Sequence, residues 1–299
     1  MEMENLIKKT LYKVLFYGKN ILFLYLFFAL LSLLSEIQIL RQEGFYSSLK
    51  IYYENIINYS LHLIQGDFGT YLTGVRVRSI NQDIWPYIWG SVKILSVSLF
   101  IGTIFSLILG IKFSVNRKRN KILQNILTLL ISTPDFILIL FLQMTVVFFN
   151  YKTGYSFIRI ASLRENEAIL LPIISMTVIP MVFFIKEIMN HTSSIITEEY
   201  IRTALSKGLT KWLIIKHHVL SSLILYLRAD LLKVISISIS NLFIIEHLFN
   251  IRGITRFMFH WNQYSVWLTG FIFLAIIFVA LYLSMLLFLK GVRRYIIGE

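Results

Sequence analysis

Apolar residues run on through this chain for lengths that a soluble fold cannot bury. Residues 94–111 contain no charged side chain, and neither do residues 20–35 or 266–289. About 20 apolar residues in helical form cross a bilayer core of roughly 30 Å. Of the 299 residues, 57% are hydrophobic, more than a soluble domain of this length can hide. The runs are continuous rather than alternating with a period of two, so they do not read as strands of a membrane β-barrel. The expected class is an all-α polytopic membrane protein. Six spans are read, at about 20–40, 87–112, 122–149, 168–189, 222–248 and 266–289.

The formal net charge is +13. In a soluble protein that excess would suggest a nucleic-acid partner; here no nucleic acid is expected, because lysine and arginine collect in loops on one side of the membrane. That side holds Lys8, Lys9, Lys13 and Lys19 at the start, Lys112, Arg117, Lys118, Arg119 and Lys121 after the second span, Lys186, Arg202, Lys207, Lys211 and Lys216 after the fourth, and Lys290, Arg293 and Arg294 at the end. The opposite side holds about half as many. Both termini are expected in the cytoplasm, and the lipid bilayer is the first partner. The first span follows lysines in the manner of a signal peptide. The sequence after it, Ser35-Glu36-Ile37-Gln38, lacks a small-residue cleavage site and reads as an uncleaved anchor. Cysteine is absent, which excludes disulfides, thiolate metal sites and cysteine nucleophiles.

Residues 41–86 lie outside, between the first two spans, and hold Tyr52, Tyr53, Tyr59, Phe68 and Tyr71 among polar residues. A small amphipathic helical cap is expected there. Pro134 and Pro180 stand within spans and are candidate kink points. Residues 190–220 are basic, amphipathic and not long enough in apolar content to span. Ser193, Ser194 and Thr197 can cap a helix start, Glu198 and Glu199 suit a first turn, and Gly208 can break the run with a positive φ. Two short helices with a turn between them are expected, Ile201, Ala204 and Leu205 on one face of the first and Leu213, Ile214 and His217 on the second. Residue chemistry alone leaves two uses open, insertion into a partner's groove or rest on anionic headgroups through Lys207, Lys211 and Lys216.

The segment Tyr200-Ile201-Arg202-Thr203-Ala204, then Lys207-Gly208-Leu209 and, nine residues after the glycine, His218-x-Leu220, resembles the coupling loop of the oligopeptide/dipeptide-type ABC importer permeases. Gly66-Asp67-Phe68-Gly69-Thr70, Leu171-Pro172 and Glu246-x-x-Phe249-Asn250-x-x-Gly253-Ile254 resemble three further segments of that family, in the same order. The resemblance covers roughly residues 20–295. It implies a type I ABC importer permease fold, specifically the first of two permease subunits, in the bacterial cytoplasmic membrane. The implied partners are a second permease, two ATP-binding subunits and an external solute-binding protein. It also implies the division 1–19 cytoplasmic, 20–40 first span, 41–86 external, 87–289 five-helix core including the coupling loop 190–220, and 290–299 cytoplasmic. Tyr200, Arg202, Thr203, Ala204, Lys207, Gly208 and Leu209 are the implied ATPase-coupling residues. The chain departs from the family pattern at Tyr226, Arg252 and Thr255, and carries Arg228, Asp230 and Lys233 where the fifth span is commonly apolar.

No Gly-x-x-x-x-Gly-Lys-Ser/Thr occurs, so nucleotide hydrolysis is expected on other subunits. Neither a catalytic triad nor a paired-carboxylate site is legible, and no enzyme activity, cofactor or metal is expected. Asp230 and Lys233 are three apart and are expected to neutralise one another. Lys233, Ser236 and Ser240 follow helical spacing and are candidates for the translocation path; Glu246 is a candidate for an outer gate. Glu246 and His247 are adjacent, which places them on different helix faces. The competing readings are an autonomous ion-coupled carrier or channel, which needs a charged relay between spans, and a non-transporting scaffold or sensor, which needs a larger soluble domain.

Overall fold

The computed structural model describes residues 19–36, 45–115, 121–155, 158–163 and 166–297. The described residues are almost entirely helical. In chain order the elements are α1 (Lys19–Ser32), followed by a 3-10 turn at Leu33–Glu36; α2 (Phe45–Ile64); a hairpin of β1 (Thr70–Thr73) and β2 (Arg76–Ser79); α3 (Ile80–Val115); α4 (Lys121–Ser132); α5 (Asp135–Thr153); and α6 (Leu170–Ile195). Then come α7 (Glu199–Ser206), α8 (Lys211–Ile214), which passes through a π turn (Ile215–Val219) into α9 (Leu220–Leu248), α10 (Ile254–His260) and α11 (Tyr264–Ile297).

Among the described residues five helices are long and apolar enough to cross a membrane: Ile80–Ser114, Asp135–Thr153, Leu170–Ile195, Ile215–Leu248 and Tyr264–Tyr295. They recover five of the six expected spans. The described part of the first, Lys19–Ser32, is a shorter apolar helix, and residues 37–40 of that expected span lie outside the described residues. The expected third span, 122–149, is divided. Pro134 takes φ −54°, ψ 133° and caps α5, because a residue before proline is driven from helical geometry and proline itself has no N–H to donate. α5 keeps 19 residues, or about 28 Å at 1.5 Å per residue. Pro180, the other expected kink point, sits inside an unbroken α6.

The molecule forms two compact units, Met1–Ile88 with Ile254–Ala275, and Trp89–Gly253 with Ile276–Glu299. In the first, Ala29, Tyr59, Tyr264 and Leu268 form the core, and the Tyr59 hydroxyl meets Thr269 Oγ1 at 2.8 Å. The β-hairpin here was not expected from the sequence. Its register pairs Thr70 with Ser79 and Thr73 with Arg76, and Gly74 (φ +65°) takes the first loop position, where two-residue hairpin turns favour glycine. The alternation Val75-Arg76-Val77-Arg78 beside that glycine was the available signal. Tyr71 anchors the hairpin: it is buried, its ring lies 5.4 Å from Phe257, and its hydroxyl donates to Asp83 Oδ2 at 2.8 Å. Burial first, and the Asp83 carboxylate second, push its phenol well above the usual range, so it stays a donor.

The Gly66-Asp67-Phe68-Gly69 turn precedes the hairpin. Gly66 and Gly69 have φ of +76° and +80°, Asp67 Oδ1 accepts from the Gly69 N–H at 3.0 Å, and the Phe68 N–H donates to Asn81 Oδ1 at 2.7 Å. The glycines supply the backbone angles and the two side chains satisfy the exposed turn donors.

In the second unit α6 and α9 pack together along most of their length. Phe184, Ile188, Leu223, Leu231, Val234 and Ile235 are fully or almost fully buried. α3 carries small residues at Ser98, Gly102, Ser106 and Gly110, all buried. A Cβ on Gly110 would lie 2.6 Å from Ile188 Cγ2, and one on Gly102 would lie 3.4 Å from the Thr177 carbonyl oxygen. Small side chains let membrane helices approach closely enough for dispersion and backbone contacts to hold them. α4 packs onto α6 through Leu127, Val182, Ile185 and Met189.

Candidate functional site

The segment between α6 and α9 is an elbow built around α7. α6 continues through Ser193 and Ser194 to Ile195, so these serines are not helix caps as expected; Ser193 instead donates to the Asn190 carbonyl at 2.7 Å. Glu198 is the N-cap residue of α7, in extended geometry. The acidic pair Glu198 and Glu199 then sits at the positive end of the α7 dipole.

Gly208 ends the helix as expected. Its φ is +79°, its N–H donates to the Leu205 carbonyl at 3.0 Å, and the Leu209 N–H donates to the Ala204 carbonyl at 3.3 Å. This pair of bonds is a Schellman closure, which satisfies carbonyls that the helix end would leave unpaired. No atom lies within 4 Å of a Cβ built on Gly208, so backbone geometry alone asks for glycine.

α7 is two-faced. Ile201 (1% exposed) and Ala204 are turned inward, while Arg202, Thr203, Leu205, Ser206 and Lys207 face outward. Leu205 thus leaves the face that the sequence assigned it with Ile201 and Ala204, and Ala204 is covered by its own chain. Tyr200 (44% exposed) leans on α9, its hydroxyl 3.4 Å from Ser222 Oγ and its ring 6.0 Å from His218. The second expected helix does not stand alone: α8 flows through the π turn into α9. Ile214 is buried there, while Leu213 and His217 are exposed. The elbow is therefore tied by backbone to both of the principal packed spans.

The expected path residues separate. Lys233, Ser236 and Ser240 lie exposed on one side of α9. Ser236 donates to the Leu232 carbonyl at 2.8 Å and Ser240 to the Ser236 carbonyl at 3.0 Å. Lys233 does not pair with Asp230 as expected; its Nζ lies 4.5 Å from the centre of the Phe183 ring, a cation–π contact. Asp230 turns to α6, where His191 Nε2 stands 3.3 Å from its Oδ2. Tyr226 stacks on the same imidazole at 4.4 Å and 11°. Two of the residues that depart from the family pattern thus meet at His191, a residue that the sequence reading passed over. A second polar contact between spans joins Asn241 Nδ2 to Asp135 Oδ2 at 2.7 Å. Neither pairing across spans was legible from spacing.

Glu246 is fully buried (0% exposed) and His247 is exposed. The Ser91 hydroxyl donates to Glu246 Oε1 at 2.5 Å, and the Glu246 carbonyl accepts from the Ile251 N–H at 2.9 Å. A Cβ on Gly253 would lie 1.9 Å from the Glu246 carboxyl carbon, and one on Gly90 would lie 2.0 Å from the Arg252 carbonyl oxygen. Asn250 adopts φ +55°, and its amide donates to the Ser162 carbonyl at 2.6 Å. The Glu246–Gly253 turn is thus closed down on its own carboxylate.

These features define a multi-pass α-helical membrane protein whose two main packed spans are joined by a short, outward-facing helix. The chain belongs to the family of binding-protein-dependent transport system inner membrane components, whose profile matches residues 102–297. It is 24% identical over 201 residues to the oligopeptide transport system permease protein OppB of Mycoplasma pneumoniae, covering 66% of this chain and 51% of that protein. It is 25% identical over 199 residues to the protein of the same name from Mycoplasma genitalium, covering 62% and 48%. To that of Mycobacterium bovis it is 22% identical over 184 residues, covering 56% of each chain. The chain spans about half the length of the curated relatives it matches.

Proposed function

We propose that this chain is the transmembrane permease subunit of an ATP-driven importer that carries peptides or similar small solutes. ATP is hydrolysed on two separate subunits, a second permease completes the pathway, and an external solute-binding protein delivers the cargo. Both termini and the elbow face the cytoplasm, in keeping with the lysines and arginines gathered there. The observation that carries the reading is α7: a short helix with an outward basic face, closed by Gly208, between two spans that pack closely on one another. Family membership and the peptide-transport names of the relatives support it.

Movement of the ATP-binding subunits would reach the spans through this elbow. Because α8 is continuous with α9 and only Ile196 and Thr197 separate the end of α6 from Glu198, a displacement of α7 has few soft joints in which to be lost. Lys233, Ser236 and Ser240 then line the pathway or its seam with the second permease, and the buried Glu246 holds the outer turn shut between transport events. The two states differ in which contacts each ligand stabilises, which is what an alternating-access cycle requires.

The test is affinity purification of the tagged chain from native membranes, with mass spectrometry of its companions, followed by cysteine cross-linking from Arg202→Cys and Lys207→Cys. Capture of a second permease and ATP-binding subunits, with cross-links running to the latter, is the expected result. A stable, transport-competent protein that captures no ATP-binding subunit would overturn the reading and favour an ion-coupled carrier.

A further inference from the structure

The mechanism above has no use for the polar group where α6 and α9 meet. Glu187 and His191 stand one turn apart on α6, and Asp230 reaches them from α9. His191 Nε2 is 3.8 Å from Glu187 Oε2 and 3.3 Å from Asp230 Oδ2. The ligand atoms all fall within 4.8 Å of one another. Each side chain is partly shielded, with 23–26% exposed, so the group is held in place but open to an ion.

We propose that Glu187, His191 and Asp230 form a binding site for one divalent transition-metal cation. Three observations carry this. The first is the donor set: one imidazole nitrogen and two carboxylate oxygens suit zinc and its first-row neighbours. Around a tetrahedral ion with bonds of about 2.0–2.1 Å, ligand atoms sit about 3.3 Å apart; the His191–Asp230 pair has that spacing, and a small approach of Glu187 from 3.8 Å completes it. The second is charge. Among the described residues neither carboxylate has a lysine or arginine in an ion pair; Lys233, three residues after Asp230, is engaged with Phe183. Two carboxylates at a helix–helix contact in a membrane protein need a positive partner, and a divalent cation supplies both charges at once. The third is orientation. Tyr226 lies flat on the His191 ring and fixes the imidazole with Nε2 toward both carboxylates, the part that outer contacts play around metal ligands.

A cation held here joins α6 to α9 directly, tying together the two spans between which α7 hangs. The site is independent of the transport reading and stands or falls on metal binding alone. Its test uses the full chain in detergent or nanodiscs, stripped of metal by chelation and titrated with Zn2+ as the probe. Equilibrium dialysis with elemental analysis counts the bound ion. His217→Ala/His218→Ala serves as the background, because this neighbouring pair of imidazoles, one exposed and one partly exposed, is another place for zinc.

One saturable equivalent per chain is expected in that background, weakened about tenfold or more by Asp230→Asn or His191→Ala in protein that still elutes as a single species. Zn2+ is also expected to slow hydrogen exchange at the end of α6 and the first half of α9, a readout that needs no substitution at the site. Failure to bind Zn2+ below about 100 µM would overturn the proposal. Unchanged affinity in both site variants, or protection confined to other helices, would overturn it equally.

Discussion

Two glycines beside helices, Gly208 after α7 at the elbow and Gly253 just before α10 in the Glu246–Gly253 turn, are required for opposite reasons. Gly208 has a positive φ and open space around it. Gly253 has no positive φ and no space at all, because the Glu246 carboxyl occupies the volume a side chain would need. The first is a requirement of the local backbone. The second is a requirement of packing around a buried carboxyl group. An exposed joint designed by backbone geometry can bend or be gripped by a partner at little cost to the fold, whereas a turn closed over a carboxylate cannot shift without exposing or colliding with it.

This contrast can be broken most forcefully at the outer turn. Gly253→Ala should destabilise the protein by about 3 kcal/mol or more, the upper range for overpacking, and lower the thermal midpoint of the purified chain sharply. A midpoint close to wild type would mean that Glu246 swings away freely, and its carboxyl group would then not be what holds the turn shut. Ser91→Ala should cost about 1–3 kcal/mol, because it withdraws a hydroxyl donor from a buried carboxylate; retention of full stability would show that Glu246's other contacts suffice.

At the elbow smaller effects are expected. Gly208→Ala should cost about 1–2 kcal/mol from the left-handed backbone alone and reduce ATP-coupled uptake while membrane insertion is kept. Gly208→Asn should recover much of the loss, because asparagine tolerates that conformation. Equal damage from both variants would mean that side-chain volume at a partner interface, not φ, is what the position excludes. Smallest in stability are Arg202→Ala and Lys207→Ala, expected within about 0.5 kcal/mol of wild type. Uptake assays should nevertheless fall if the outward face of α7 docks a partner; unchanged uptake in both would remove that face from the coupling contact.

The legible parts of this fold were those governed by one stretch of chain at a time. Apolar runs marked five spans that recur as long helices. Gly208 announced the end of α7 because a left-handed residue after a helix favours glycine whatever surrounds it. Pro134 carried a signal that was read too weakly: with Asp135 behind it, it ends one helix and starts another, where a continuous span was expected. The hairpin at 70–79 was missed because its alternation is short and lies among aromatic residues that suggested a helical cap.

Pairings between spans lay beyond such reading. Asp230 was assigned to Lys233 because helical spacing makes them neighbours, yet it turns to His191, 39 residues away in sequence. Nothing local distinguishes those two outcomes; the rotation and depth of α6 against α9 select one. The same holds for Ala204, which spacing places on one face with Leu205 and the elbow's fold turns inward while Leu205 stays exposed.

The sequence by itself thus determined the membrane class, the helical runs and the glycine-closed elbow, because apolar length, the missing N–H of proline and positive-φ turns are properties of short segments. Only the tertiary structure decided that Glu246 is enclosed by Ser91 and Gly253, that Lys233 rests on Phe183, and that Glu187, His191 and Asp230 converge. Those outcomes depend on how neighbouring helices are turned and staggered, and the packing of many side chains sets that jointly.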